Sequence, residues 1–185
     1  NYFRGKSDIP TALEYFFFFI PLAEKVKDKR RISSLYFDIA ESYYTLQNLE
    51  ECYKYAVIGE QNLPEKGSPM YDFMATQFHR TMGNYYLKKN MPDSALKQIR
   101  ELEEKNSRLK KSNYIMYGYI QNGTAYSQLG ETDLAEVYFK KAHALSDSIA
   151  TPLMTLIFNN FYIPYLLATN QFDKARHQAF QLLNT

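Results

Sequence analysis

Apolar residues recur three and four positions apart along most of the chain, which is the period of an α-helix with one buried face. Short polar turns interrupt this pattern. In the turn from Lys89 to Asp93, Asn90 can end one helix, and Pro92 suits the first turn of the next because its missing N–H donor is harmless there. The pattern predicts helices near residues 8–28, 31–46, 49–62, 70–89, 92–109, 112–129, 132–149, 152–169 and 172–184.

One framework of small and aromatic residues repeats along the chain. Its clearest copy consists of Gly123, Tyr126, Gly130, Ala135, Phe139 and Ala142. The small residue at the Ala135 position recurs 40 or 43 residues apart, at Ala12, Cys52, Ala95, Ala135 and Ala175. Two helices approach closely only where side chains are short, and aromatic rings fill the space beside that contact. The sequence therefore predicts a single array of helical hairpins with units near 1–29 (partial), 30–68, 69–110, 111–150 and 151–185.

This framework resembles the tetratricopeptide repeat, most closely in the segment QLGETDLAEVYFKKAHAL at residues 128–145. The resemblance covers nearly the whole chain and implies an all-α, right-handed superhelical stack of antiparallel hairpins, an α-solenoid of four to five repeats. The period of 40 is longer than the usual repeat of about 34 residues. The long unit resembles the repeats of bacterial regulatory and sensor proteins.

Composition and charge narrow the function. Aromatic residues make up 16% of the chain, and the repeat accounts for this excess without a cofactor. The net charge of +2 gives no overall field towards nucleic acid or an anionic membrane. The single cysteine, Cys52, excludes an internal disulfide, and its place in the repeat predicts a small core residue.

No residue pattern that supports catalysis or metal binding is visible. His79, His143 and His177 lie in different repeats without a second histidine one helical turn away, and no glycine-rich phosphate loop occurs. We therefore expect a protein that is not an enzyme and needs neither a cofactor nor a metal. The sequon at Asn122 lies in a predicted helix, which argues against glycosylation.

Nucleic acid and membrane partners are not favoured either. The basic run formed by Lys105, Arg108, Lys110 and Lys111 is typical of a solvated helix end. The apolar run at residues 15–23 is too short to span a bilayer, and the longer stretch at 151–170 carries Asn159, Asn160 and Pro164 in its middle. We expect no direct insertion of this segment into a membrane, and we expect Pro21 and Pro164 to kink the terminal helices.

The resemblance also implies a partner-binding groove, because related proteins bind extended peptides or partner helices on the exposed faces of the first helix of each hairpin. The matching positions are Phe37, Glu41, Tyr44, Arg80, Asn84, Lys88, Tyr117, Ile120, Gln121, Thr124 and Gln128. Arg80, Asn84 and Gln121 match part of a clamp for a peptide carboxylate, but Ile157 and Phe161 replace its last two cations. The expected groove is mixed aromatic and polar, with Phe37, Tyr44 and Tyr117 exposed. The alternative is that these residues only pack between helices.

These features favour a non-catalytic protein- or peptide-interaction module, as the sensing or partner-binding region of a larger bacterial signalling or transcription-regulatory protein. Two alternatives remain open. One is a structural array that spaces other domains or forms a homodimer through Ile157, Phe158 and Phe161 of the terminal repeat. The other is a cytosolic receptor for a signal peptide. Because the chain opens within a repeat at Asn1, we expect a piece of a longer protein, with an extracytoplasmic part of a membrane-anchored regulator favoured over a cytoplasmic one.

Overall fold

The computed structural model describes residues 8–183, except for the side chains of Pro69 and Leu183. These residues form nine α-helices and no strand. The helices are α1 (Ile9–Lys25), α2 (Lys29–Thr45), α3 (Leu49–Gln61), α4 (Pro69–Lys88), α5 (Pro92–Leu109), α6 (Ser112–Gln128), α7 (Thr132–Ile149), α8 (Pro152–Ala168) and α9 (Phe172–Leu183). Every predicted helix is confirmed, with its ends within three residues of the predicted ones.

The helices form two compact units, which divide between Lys89 and Asn90. In the first unit, α1 packs on α2, α2 packs on both α3 and α4, and α3 packs on α4. In the second unit, α5 packs on α6, α6 packs on both α7 and α8, and the pairs α7–α8 and α8–α9 are also in contact. Within each unit, helices therefore pack on their neighbours in sequence, which confirms the predicted hairpin-based helical fold.

Residues with a left-handed backbone conformation recur at a nearly constant interval along the chain. Among the described residues, eight adopt a positive φ angle, and each lies between two helices: Lys27, Gln47, Gly67, Asn90, Lys110, Gly130, Ala150 and Asn170. Successive members are 20 residues apart, except for the step of 23 from Gly67 to Asn90. A left-handed residue after the last turn ends a helix because it turns the chain away from the helix axis. The turns thus recur at half the predicted 40-residue period.

Side-chain caps and prolines define several of the helix starts. The side chains of Asp28, Asn48 and Thr151 accept hydrogen bonds from backbone N–H groups three residues ahead, at 3.1, 3.3 and 3.4 Å. Prolines occupy the first position of α4, α5 and α8, where no N–H donor is needed. Pro21 and Pro164 lie inside α1 and α8, and both helices continue past them. None of the described helices combines the length and the hydropathy needed to cross a membrane.

The core of the first unit lies where α2, α3 and α4 meet. Gly59 of α3 faces the ring of Phe37, and a Cβ atom at position 59 would lie 2.5 Å from that ring. Cys52 is fully buried in the same cluster, as its place in the repeat predicted. The other buried members of the cluster are Ala40, Ala56, Met74, Phe78 and Met82.

The core of the second unit is built in the same way from α6, α7 and α8. Gly123 of α6 lies against the ring of Phe139, and a Cβ atom there would be 3.0 Å from two ring carbons. The cluster around this contact contains Met116, Ile120, Ala135, Ala142, Phe158, Tyr165, Leu166 and Ala175. In both units, a glycine in one helix therefore makes room for a phenylalanine of the neighbouring helix.

The left-handed turn at Ala150 gives a test of the backbone repeat. Ala150 has a φ of 51°, which costs an L-residue about 1–2 kcal/mol and a glycine almost nothing. After allowing for the greater entropy of glycine in the unfolded chain, we expect Ala150→Gly to stabilise the protein by about 0.5–1 kcal/mol. Urea unfolding followed by circular dichroism measures this.

Ala144 is the matched control, because it is an exposed alanine inside α7. Ala144→Gly should destabilise the protein by about 1 kcal/mol, since glycine disfavours a helix interior. If both substitutions shifted the free energy of unfolding in the same direction, the left-handed turn at residue 150 would be wrong.

Candidate partner-binding surface

The predicted groove residues of the first unit lie on α2 and α4, which contact each other. Phe37 does not present its ring to solvent. It is 4% exposed, and its ring centroid lies 6.3 Å from that of Phe78. The expectation that Phe37 is an exposed aromatic is wrong, because the absence of a side chain at Gly59 lets the ring enter the core.

Glu41 and Arg80 form an ion pair that joins α2 to α4. Two hydrogen bonds connect the guanidinium to the carboxylate, with Nη1 donating to Oε1 at 3.2 Å and Nη2 donating to Oε2. The Arg80 side chain is 13% exposed and that of Glu41 is 40% exposed, so the pair is half-buried. Bidentate pairs of this kind have fixed geometry as well as charge attraction. Glu41 therefore occupies the donors with which Arg80 would hold a peptide carboxylate.

Asp38 lies one helical turn before Glu41 and was not among the predicted site residues. Its carboxylate makes no hydrogen bond or ion pair with any described residue, although it remains exposed. The pKa of Asp38 is nevertheless raised to about 6, because neighbouring protein atoms displace part of the water around the carboxylate and the negative charge of Glu41 acts in the same direction, while Arg80 opposes both. An unpaired carboxylate in this environment favours binding of a cation, which would restore its charged form.

Tyr44 continues this row along α2, three residues after Glu41. It is half-buried and packs against the core of the first unit. Burial raises the pKa of its phenol to about 12, and the charge of Glu41 adds to the effect. The ring therefore stays neutral and offers an apolar edge with a hydroxyl donor. We call Asp38, Glu41, Tyr44 and Arg80 the α2–α4 surface.

The remaining predicted residues of α4 differ in accessibility. Asn84 is 5% exposed, whereas Lys88 near the end of the helix is exposed. A partner in contact with this face would meet the ammonium of Lys88 but not the Asn84 amide. The carboxylate clamp that the resemblance implies is thus altered twice in this unit, by the engagement of Arg80 and by the burial of Asn84.

In the second unit, α6 carries the other five predicted groove residues. Ile120 and Gln121 are fully buried, so they are not accessible to a partner. The hydroxyl of Thr124 donates to the carbonyl oxygen of Ile120 at 2.9 Å. Tyr117 and Thr124 are partly accessible, and Gln128 is exposed. Three of the five positions therefore offer side-chain surface.

The other sequence-predicted features are mostly engaged inside the protein. The Lys105 ammonium is 3.1 Å from the carboxylate of Glu101, and its side chain is 9% exposed. Asn122 is buried in α6, and its Nδ2 donates to Glu103 at 2.8 Å. Phe158 lies in the core of the second unit, with Ile157 and Phe161 packed against that core. The proposed self-association face at these three residues is therefore largely covered.

Among the described residues, no group of three or more His, Cys, Asp or Glu side chains could hold a metal ion. Burial raises the pKa of the Cys52 thiol to about 12, with Glu41 adding to the rise, so this thiol stays protonated. The α2–α4 surface offers two carboxylates, a neutral phenol and an engaged guanidinium, which suit recognition of a cation beside an apolar group.

Asp38 could have been found in the sequence, because it precedes Glu41 by three residues and shares its helical face. The pairing of Glu41 with Arg80 could not, since the two residues are 39 positions apart and on different helices.

No protein-family model, curated protein or solved structure matches this chain. The tetratricopeptide assignment therefore remains a prediction based on the repeat framework.

The raised pKa of Asp38 predicts how stability depends on pH. The unfolded chain loses this proton near pH 3.8, whereas the folded protein keeps it up to about pH 6. Across this window the folded state binds more protons than the unfolded state, so the contribution of Asp38 to stability falls as pH rises. We expect the melting temperature of Asp38→Asn, relative to that of the native protein, to increase from pH 4 to pH 7.

The exposed Asp93 supplies the control, because Asp93→Asn removes one carboxylate elsewhere. The melting temperature of Asp93→Asn, relative to that of the native protein, should not increase in the same way from pH 4 to pH 7. A difference for Asp38→Asn that stays constant between pH 4 and pH 7 would show that the carboxyl titrates at its ordinary pKa.

Proposed function

We propose that this chain is a non-catalytic protein-interaction module that binds an extended or amphipathic segment carrying a basic side chain. It acts as the sensing or partner-binding region of a larger bacterial signalling or transcription-regulatory protein, without a cofactor. The observation that carries the proposal is the α2–α4 surface, on which the unpaired Asp38 carboxylate lies beside the Glu41–Arg80 pair and the Tyr44 ring.

The charge arrangement supports a basic ligand over an acidic one. Arg80 is the cation whose charge acts on Asp38, and Glu41 already engages its Nη1 and Nη2. The Asp38 carboxylate is left with an unfavourable environment that a lysine or arginine of a ligand would relieve. The Tyr44 ring can then cover the apolar stem of that side chain.

The proposal includes a finer architecture than the helix packing alone. We place the hairpins in a right-handed superhelical stack of four to five tetratricopeptide-like repeats, on the strength of the recurring small residues and the 20-residue recurrence of left-handed turns. Such arrays recognise partners through side chains of successive helices rather than through one deep pocket.

Selection from a random-peptide library displayed on phage tests the proposed function. We expect the selected peptides to share a lysine or arginine next to a large apolar residue. Their affinity should increase between pH 5 and pH 7 as Asp38 ionises. Asp38→Asn should weaken binding about 3–10-fold, the size expected for loss of one charge contact at a partly exposed site.

Tyr44→Ala should weaken binding of the same peptides, whereas the control Asp93→Asn should leave it unchanged. The binding site would lie elsewhere if the selected peptides bound Asp38→Asn and Tyr44→Ala as tightly as the native protein. Selected peptides that depend on a free terminal carboxylate would favour the clamp and contradict a basic ligand.

A second function, self-association, is favoured by apolar side chains of the terminal helices. Leu153 and Leu156 of α8 and Phe172 and Phe180 of α9 are exposed. These residues, rather than Ile157, Phe158 and Phe161, would form the contact. Light scattering at high protein concentration should then give a mass above that of the monomer, which Phe180→Asp reduces. A strict monomer at every concentration would contradict self-association.

A further inference from the structure

The first described helix has an apolar face that no described residue covers. Phe18 and Val26 are each 65% exposed, Tyr15 is 55% exposed, and Phe19 and Leu22 are each 48% exposed. Tyr15, Phe19, Leu22 and Val26 follow one another at steps of four, three and four positions, so they share one side of α1 and its C-terminal end, with Phe18 next to them. An apolar patch of this kind on a helix marks a site that binds another element.

The backbone turns show which part of the second unit corresponds to α1 and α2. Lys27, after α1, precedes Ala150, after α7, by 123 residues. Gln47, after α2, precedes Asn170, after α8, by the same 123 residues. The pair α1–α2 is therefore equivalent to the pair α7–α8, residue by residue.

In the second unit, helix α6 covers the equivalent face. Phe19 and Leu22 correspond to Ala142 and Leu145 of α7, and both of these belong to the core cluster that contains Met116 and Ile120 of α6. Ala142 is fully buried, in contrast to Phe19. An apolar pair four residues apart on one helix thus fills the groove between the next two helices.

In the first unit, the same positions line an open cavity of about 590 Å³. Its walls are Phe19, Leu22, Ala23 and Lys25 of α1, Val26 directly after that helix, and Arg31, Ser34 and Leu35 of α2. Six of these positions have counterparts 123 residues later that belong to the core cluster or pack against it. The counterparts are Ala142, Leu145, Ile149, Met154, Ile157 and Phe158. The cavity lies in the size range of ligand clefts, about 300–1,000 Å³.

The rim of this cavity is basic, unlike its counterpart. Lys25 and Arg31 correspond to Ser148 and Met154 in the second unit. Lys27 of the turn that joins α1 to α2, and Lys29 and Arg30 in the first turn of α2, are also exposed. Arg31 pairs with Asp28 at 3.2 Å on the surface, where such pairs are weak and exchange readily.

We propose that the α1–α2 groove binds an amphipathic α-helix of another polypeptide, one with two large apolar residues four positions apart and acidic residues in its first turn. Helix α6 reaches α7 through a short turn at residues 129–131, so the two helices run in opposite directions. A helix bound in the same way to α1 would place its first turn beside the basic rim. Acidic residues are also favoured there by the helix dipole.

A membrane surface is the main competing ligand, because aromatic and basic residues together also favour anionic lipid. The cavity argues for a helix instead. It is a concave site walled by two helices, and its counterpart in this same chain accepts a helix rather than a flat surface. This proposal does not depend on the α2–α4 surface.

Helix-stabilised peptides with the α6 sequence at 112–129 serve as probes, since they contain Met116 and Ile120. One peptide carries Ser112→Glu and Asn113→Glu, and its partner carries lysine at both positions. We expect the acidic peptide to bind at least about tenfold more tightly at low salt than either the lysine peptide or an acidic peptide with Ile120→Asp. The advantage over the lysine peptide should shrink at about 0.5 M salt because charges on the rim are screened.

The protein variant Leu22→Asp should reduce binding of the acidic peptide at least about tenfold. Leu134→Asp is the matched control, because Leu134 is 43% exposed on α7 and its substitution should leave binding unchanged. Circular dichroism checks that both variants fold. Equal binding to Leu22→Asp would overturn the proposal, and so would a failure to bind at about 1 mM peptide.

Two further measurements distinguish other occupants of the groove. Sedimentation with vesicles of phosphatidylcholine and phosphatidylserine tests lipid, and light scattering tests a second copy of the chain. Vesicle binding that Leu22→Asp abolishes, without peptide binding, would overturn the proposal in favour of a membrane. A dimer that Leu22→Asp dissociates, again without peptide binding, would overturn it in favour of self-association.

Discussion

Close contact between neighbouring helices at small residues is the constraint on which both units depend. Ala40, Cys52 and Ala56 are fully buried in the first unit, as are Ala135 and Ala142 in the second. A phenylalanine then fills the space that a glycine leaves, Phe37 against Gly59 and Phe139 against Gly123. Larger side chains at these positions would separate the helices and leave cavities, which destabilise a core in proportion to their size. The aromatic excess of the composition is thus a packing requirement.

The helices were predictable because each depends on local signals. Apolar spacing, the capping residues Asp28, Asn48 and Thr151, and the prolines at the helix starts all act within a few residues. The burial of Phe37 was not predictable in the same way. It depends on Gly59, which lies 22 residues further along the chain and has no side chain to reveal its position in a packing pattern. The spacing of residues predicts which side chains share one face of a helix. Whether that face is buried depends on the residues of the helix that packs against it.

The candidate site shows the same limit in its electrostatics. The sequence identified Glu41 and Arg80 as surface residues, but it could not show that they form an ion pair or that the charges of both act on Asp38. The charge of Glu41 also raises the pKa values of Tyr44 and Cys52. One carboxylate therefore raises the pKa values of three other titratable groups of the first unit, Asp38, Tyr44 and Cys52.

The recurrence of left-handed turns has a consequence for how the chain can vary in length. Helices α2, α6 and α8 each contain 17 residues, whereas α4 contains 20. The three additional residues, close to one helical turn, account for the single step of 23 between turns. After Asn90 the 20-residue step resumes unchanged. Each left-handed residue therefore isolates its helix from the next one, so an insertion lengthens one helix without shifting the alignment of those that follow.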